Sequence, residues 1–127
     1  MSEIRPYLCT RDARAAVDWY VEAMGAAVTV EPIVMDDGRI GHVELSFGGA
    51  TVMMSDAYPE LNVEAPLDGR GAAVTLHLTT DDVDALTTRA VGRGAALDRG
   101  PEDSDHGRTA VLRDPFGHRW MLGEPAG

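Results

Sequence analysis

The residues with most chemical potential in this sequence are two histidines and a glutamate. His42 and Glu44 stand two apart in the run Gly41-His42-Val43-Glu44-Leu45. In an extended strand that spacing puts both side chains on one face. His77 lies in a similar setting, between Leu76 and Leu78. Several chemistries are open to such a set. Two imidazoles and a carboxylate can hold a divalent metal ion and leave positions for substrate. A His–Glu or His–Tyr pair can act as general acid and base without metal, and Glu44 with His42 or His77 is the best such pair here. The same groups can instead hydrogen-bond a ligand, or form a salt-bridged, partly exposed face. The His-x-Glu spacing is common and does not choose among these. His106, among Asp103, Ser104 and Asp105, reads as solvated, and His118, after Gly117, reads as a turn residue.

Other chemistries are excluded by what the chain lacks. All 11 basic residues are arginine, so no lysine is available for a Schiff base. Cys9 is alone, which rules out an internal disulfide framework and a multi-cysteine zinc site. No Gly-x-Ser-x-Gly motif and no phosphate-cradling glycine loop is present. The net charge of −10 is unsuited to nucleic acid and favours solubility and a cationic ligand. Apolar runs are far shorter than the roughly 20 residues that span a bilayer. The first residues carry no basic start followed by an apolar core, so the expectation is a cytoplasmic protein with no membrane partner.

The elements that must position these residues are written twice. Thr10-Arg11-Asp12 and Gly25-Ala26-Ala27-Val28 recur as Thr79-Thr80-Asp81 and Gly94-Ala95-Ala96-Leu97; Gly49 to Met54 recurs as Gly117 to Leu122. Near-constant spacing points to a duplicated unit. In the first copy a strand over 4–9 leads to a helix with Asp12 as N-cap, with Val17, Tyr20, Val21 and Met24 on its apolar side and Gly25 as its stop. Strands follow over 27–35, 39–47 and 50–55. In the second copy a strand over 73–79 precedes a helix capped by Asp81 or Asp82, with Val83, Leu86, Ala90 and Val91 inward and Gly94 at its end; strands follow near 96–100, 107–113 and 118–123. The predicted organisation is one domain over 1–127: a first βαβββ unit at 4–56, a linker at 57–72 that includes Arg70 and could wall or lid a cleft, and a second unit at 73–124.

Strand alternation then sorts the side chains. Ile4, Leu8, Val43, Leu45, Phe47, Val52, Met54, Val74, Leu76, Leu78, Trp120 and Leu122 form the face beneath the helices. The opposite face carries Arg5, Tyr7, Cys9, His42, Glu44, Met53, Thr75, His77, Arg119 and Met121. Apolar walls with a few polar groups describe a ligand cleft. The expected ligand set is Arg5, Tyr7, His42, Glu44, Met53, Thr75, His77, Arg119 and Met121, with Tyr58 and Phe116 stacking from loops. Trp19 and Trp120 are expected in the core.

The pattern Pro6-Tyr7-Leu8, Asp12, Ala16-Val17-Asp18-Trp19-Tyr20, Gly25-Ala26 resembles the first unit of the vicinal oxygen chelate superfamily, as does the tail Asp114-Pro115-Phe116-Gly117-His118-Arg119-Trp120. That superfamily includes glyoxalase I, extradiol dioxygenases and the fosfomycin and bleomycin resistance proteins. The tail and Asp82-Val83-Asp84-Ala85-Leu86 look closest to its glyoxalase-like, bleomycin-resistance-like branch. The resemblance implies an α+β fold of two tandem βαβββ units in an incomplete barrel around a cleft, commonly as a homodimer. It also implies metal-ligand positions at Arg5, Met53, Thr75 and Met121. Arginine has no lone pair to donate, threonine is a weak ligand and thioether sulfur suits soft Cu(I), so a metal-free site is expected there. The resulting expectation is a binding protein for a small organic ligand such as a drug, cationic or aromatic, without cofactor. The alternative is a metal-dependent lyase, isomerase or dioxygenase using a divalent ion on His42, Glu44 and His77.

Overall fold

A computed structural model describes residues 1–69 and 71–125; Arg70 of the expected linker lies outside them. Contacts divide the chain into two compact units, Met1–Pro66 and Leu67–Gly127. Each has the order strand, helix, three strands. The first comprises β1 (Tyr7–Thr10), α1 (Ala13–Met24), β2 (Ala27–Val34), β3 (Ile40–Phe47) and β4 (Ala50–Asp56). The second comprises β5 (Thr75–Thr79), α2 (Val83–Gly92), β6 (Ala96–Ser104), β7 (Gly107–Arg113) and β8 (Arg119–Gly123). The sheet orders are β1-β4-β3-β2 and β5-β8-β7-β6, with the first strand of each unit parallel to the last and the other pairs antiparallel. No described helix is long and apolar enough to cross a membrane.

The same devices fix both helices. The Asp12 and Asp82 side chains each accept the backbone N–H three residues on, from Ala15 and Ala85 at 3.0 Å. This satisfies one of the orphan donors at a helix start. A second carboxylate reaches in from the end of each sheet. Asp56 accepts from Ala13 N at 2.7 Å and Glu124 accepts from Val83 N at 3.1 Å. Gly25 ends α1 with φ of 72°, a left-handed conformation that glycine adopts without strain. The second helix ends at Gly92 with Arg93 as its C-cap, and Gly94 closes it as expected: at φ of 106° its N–H donates to the Val91 carbonyl at 3.1 Å, and Ala95 N–H donates to that of Ala90 at 3.0 Å.

The inward faces are as alternation predicts over most of their length: Leu8, Val43, Leu45, Phe47, Val52, Met54, Trp120 and Leu122 are buried, with Trp19. Several expectations need correcting. Ile4 and Val74 are exposed, because β1 and β5 begin only at Tyr7 and Thr75. For β1 the reason is Pro6, which has no N–H to start a ladder, though its carbonyl still accepts from Met53 N at 2.9 Å. Leu76 and Leu78 are half-buried. Val21 and Val91 are exposed; each follows a buried residue by one position and falls about 100° round the helix from it. Strand β6 runs on to Ser104, and residues 59–61 of the expected linker form a 3-10 turn held by pairing of Tyr58 with Val63.

Candidate functional site

On the first sheet, Tyr7 of β1, Met53 of β4 and Glu44 of β3 lie in one cross-strand row. Their neighbours Leu8, Met54 and Val43 are buried beneath α1, so the row is on the other face. His42 joins it through contacts that cross the sheet. The Tyr7 hydroxyl is 2.7 Å from His42 Nδ1 and 3.2 Å from the Gly41 carbonyl. His42 Nε2 is 2.7 Å from Glu44 Oε2. A carboxylate only accepts, so Nε2 carries a proton; in the neutral ring Nδ1 is then bare, and the single Tyr7 hydroxyl proton is shared between it and the Gly41 carbonyl, to which the hydroxyl also donates. The result is a chain Tyr7–His42–Glu44, with Arg5 Nη1 4.0 Å from the other Glu44 oxygen. Burial raises the Tyr7 phenol above its ordinary pKa, and the charges of Glu44 and Tyr58 add to the rise.

A bulge adjoins this geometry. Ile33 pairs with His42 but Val34 pairs with Ile40, which leaves Gly41 as the extra residue on β3. A Cβ on Gly41 would come within 2.8 Å of Met35 Sδ and 3.5 Å of the Tyr58 hydroxyl. Tyr58, expected to stack on ligand, is instead covered by the Arg39 guanidinium, 3.9 Å from its ring centroid. Its hydroxyl is buried without a hydrogen-bond partner. Arg39 also binds Glu60 at 2.6 Å and Asp37 at 2.7 Å. Those contacts tie the start of the expected lid to β3 rather than leaving it free.

On the second sheet His77 pairs with Met121, and Thr75 with Arg119. Met121 faces away from its buried neighbours Trp120 and Leu122. The His77 ring comes close to Gly123, where a Cβ would stand 3.0 Å from its Nε2 and 3.2 Å from its Cε1. His77 and Met121 line a pocket of about 640 Å³ together with Arg99, Glu102, His106, Glu124 and neighbouring residues. Sequence reading missed this rim because β6 was expected to stop near residue 100. The longer strand carries Glu102 and Ser104 to the pocket and brings His106, read as a solvated turn residue, with them. Arg119 donates to Thr75 Oγ1 at 2.6 Å and lies 3.9 Å from Asp98.

Phe116 is a correction: it is 7% exposed and packed in the core, not displayed from a loop. The turn that holds it is closed by Asp114, whose Oδ1 accepts from Phe116 N at 2.9 Å and His118 N at 3.1 Å.

Metal donors follow from the same contacts. At the four expected ligand positions Arg5 is a cation bound to Glu3 at 3.2 Å, the Thr75 oxygen accepts from Arg119, and Met53 and Met121 offer thioethers. This set does not fit a hard divalent ion. Of the alternative set, both ring nitrogens of His42 are engaged, one of them by Glu44 itself, and His77 belongs to the second unit. Three other carboxylates, Asp82, Asp84 and Glu124, do converge. Each already serves the fold, through Ala85 N, Arg108 and Val83 N respectively.

Comparison with known proteins agrees with this architecture. Residues 4–122 match the family model of the Glyoxalase/Bleomycin resistance protein/Dioxygenase superfamily, and the chain belongs to that family. It is 40% identical to the uncharacterized protein Rv0887c of Mycobacterium tuberculosis, over 96% of this chain and 74% of the relative. Among solved structures it is similar to TioX from Micromonospora sp. ML1, with a TM-score of 0.73 and 26% identity over 99% of this chain and 98% of that one. It is also similar to TnmS3, described as an antibiotic binding protein from Streptomyces sp. CB03234, with a TM-score of 0.68 and 28% identity over 99% and 98% of the two chains.

Proposed function

We propose that this chain is a binding protein that holds a small, drug-like organic molecule, cationic and partly aromatic, without a metal. The observation that carries the reading is the pocket of about 640 Å³ in the second unit. Its size falls in the range of small-molecule sites, and it combines an adaptable thioether with a few polar groups. Among the described lining residues Glu102 and Glu124 stand against one arginine, Arg99, which already pairs with Glu102 at 3.4 Å. That balance favours a cation. On the first sheet the row of Tyr7, Met53 and Glu44 offers an aromatic ring, a thioether and a carboxylate, a second surface of the same kind. The description of TnmS3 supports an antibiotic-like ligand. The reading extends to a cytoplasmic homodimer, which sedimentation velocity tests.

The direct experiment is NMR of methionine methyl groups during titration with bleomycin and a panel of cationic aromatic antibiotics. The expected result is a saturable shift of the Met121 signal that Glu102→Gln weakens. No shift with any compound at millimolar concentration overturns the reading. Elemental analysis of untagged protein tests the metal-free part. A stoichiometric divalent ion lost in His42→Ala or Glu44→Ala favours the metal-dependent enzyme instead.

A further inference from the structure

We propose that the Tyr7 oxygen is a metal-independent nucleophile toward activated acyl esters, with His42 as its general base and Glu44 positioning His42. The proposal stands apart from ligand binding in the second unit. It rests on three relationships. The phenol and the base are in hydrogen-bond contact at 2.7 Å, and the base is held by a carboxylate at 2.7 Å on its other nitrogen. A nucleophile bonded to a base, and the base to an orienting group, is the arrangement that activates hydroxyl nucleophiles. Tyr7 is also half exposed as a residue, at 49%, whereas Tyr20 is fully buried and the Tyr58 hydroxyl is enclosed.

The step balances without a co-reactant. The Tyr7 oxygen forms a bond to the ester carbonyl carbon as its proton passes to His42 Nδ1. The carbon–oxygen bond to the alcohol portion breaks, and that oxygen takes up the proton from the imidazolium. The products are acyl-Tyr7 and the free alcohol or phenol, and water can later hydrolyse the acyl-tyrosine. Glu44 Oε2, on Nε2, stabilises the transient imidazolium. Because burial and Glu44 hold the phenol neutral, proton transfer to His42 must accompany attack.

The test uses the full chain with p-nitrophenyl acetate at neutral pH. Acetylation of Tyr7 is followed by peptide mass spectrometry, with N-acetyl-tyrosinamide as reference in the same tube. Acetyl-Tyr7 is expected to form about 100-fold faster than the reference and than in His42→Gln, the usual scale of general-base assistance. Glu44→Gln is expected to keep the melting temperature and react more slowly, and Glu44→Asp to recover part of the lost rate. The groups facing His42 are Tyr7 and Glu44, with Arg5 beyond Glu44, so removing the carboxylate takes away the acceptor that orients the ring. Equal rates in wild type, His42→Gln and the reference overturn the proposal. So does a nitrophenolate burst that persists in Tyr7→Phe, since another group is then the nucleophile. If His42→Gln fails to fold, His42→Asn carries the same comparison.

Discussion

The indole N–H of Trp120 donates to Asp114 Oδ2 at 2.9 Å, and both residues are buried. With its other oxygen Asp114 takes the backbone N–H groups of Phe116 and His118. One carboxylate thus closes the turn into β8 and pins the buried tryptophan. The Asp-Pro-Phe-Gly-His-Arg-Trp tail that marks the family is therefore a folding device in this chain.

Asp114→Ala is expected to cost about 3 kcal/mol, because it leaves buried donors unsatisfied. Urea denaturation with fluorescence detection measures it. A loss below about 1 kcal/mol would contradict the role assigned to this carboxylate.

Gly100→Ala is expected to be destabilising by about 2 kcal/mol or more. At φ of 81° its Cβ would stand 2.6 Å from the Thr109 carbonyl oxygen and 3.0 Å from Ala110 Cα, and backbone cannot move aside. Gly49→Ala is the control. Nothing lies within 4 Å of its Cβ, so a change within about 0.5 kcal/mol is expected.

Gly123→Ala should move His77 while leaving stability nearly unchanged. The new methyl would meet the tip of a side chain, 3.0 Å from Nε2, rather than backbone. Imidazole NMR signals of His77 are expected to shift and binding in the adjoining pocket to weaken. Unaltered His77 signals would show that the ring does not rest on Gly123.

Asp84 carries the clearest prediction on pH. Hydrogen bonds from Arg108 hold its carboxyl below the ordinary aspartate pKa. A depressed native pKa contributes stability that is present above the unfolded value, about 3.9, and lost as pH falls through the native value. Because the pair is solvent-exposed, the stability effect is small and the titration itself is the better measure. Arg108→Gln is expected to raise the Asp84 midpoint toward the ordinary value in carboxyl-detected NMR. Glu60, lowered chiefly by its hydrogen bonds from Arg39, should respond in the same direction to Arg39→Gln.

How much could be read in advance differs between fold and site. The duplication, both helices and the succession of elements along each copy follow from patterns that repeat locally. Asp12 and Asp82 cap, Gly25 stops, and Leu45 and Phe47 alternate with Glu44 and Ser46. The site was legible only as a list of side chains on one face. Phe116 looked like an exposed loop aromatic because a turn sequence does not reveal which ring the core takes in. Tyr58 looked available because Arg39, 19 positions earlier, gives no local sign of stacking on it.

By itself the sequence determined which residues can share a face, since strand parity and helix period are properties of consecutive residues. That was enough for the fold, the family and the opposed positions of Met53 and Met54. Only tertiary structure decided which of those residues touch. The Tyr7–His42 contact joins positions 35 apart through the β1-β4-β3 order, next to the Gly41 bulge. A bulge shifts register by one residue with no change in composition, and a hydrogen bond depends on tenths of an ångström. Neither is encoded in spacing along the chain.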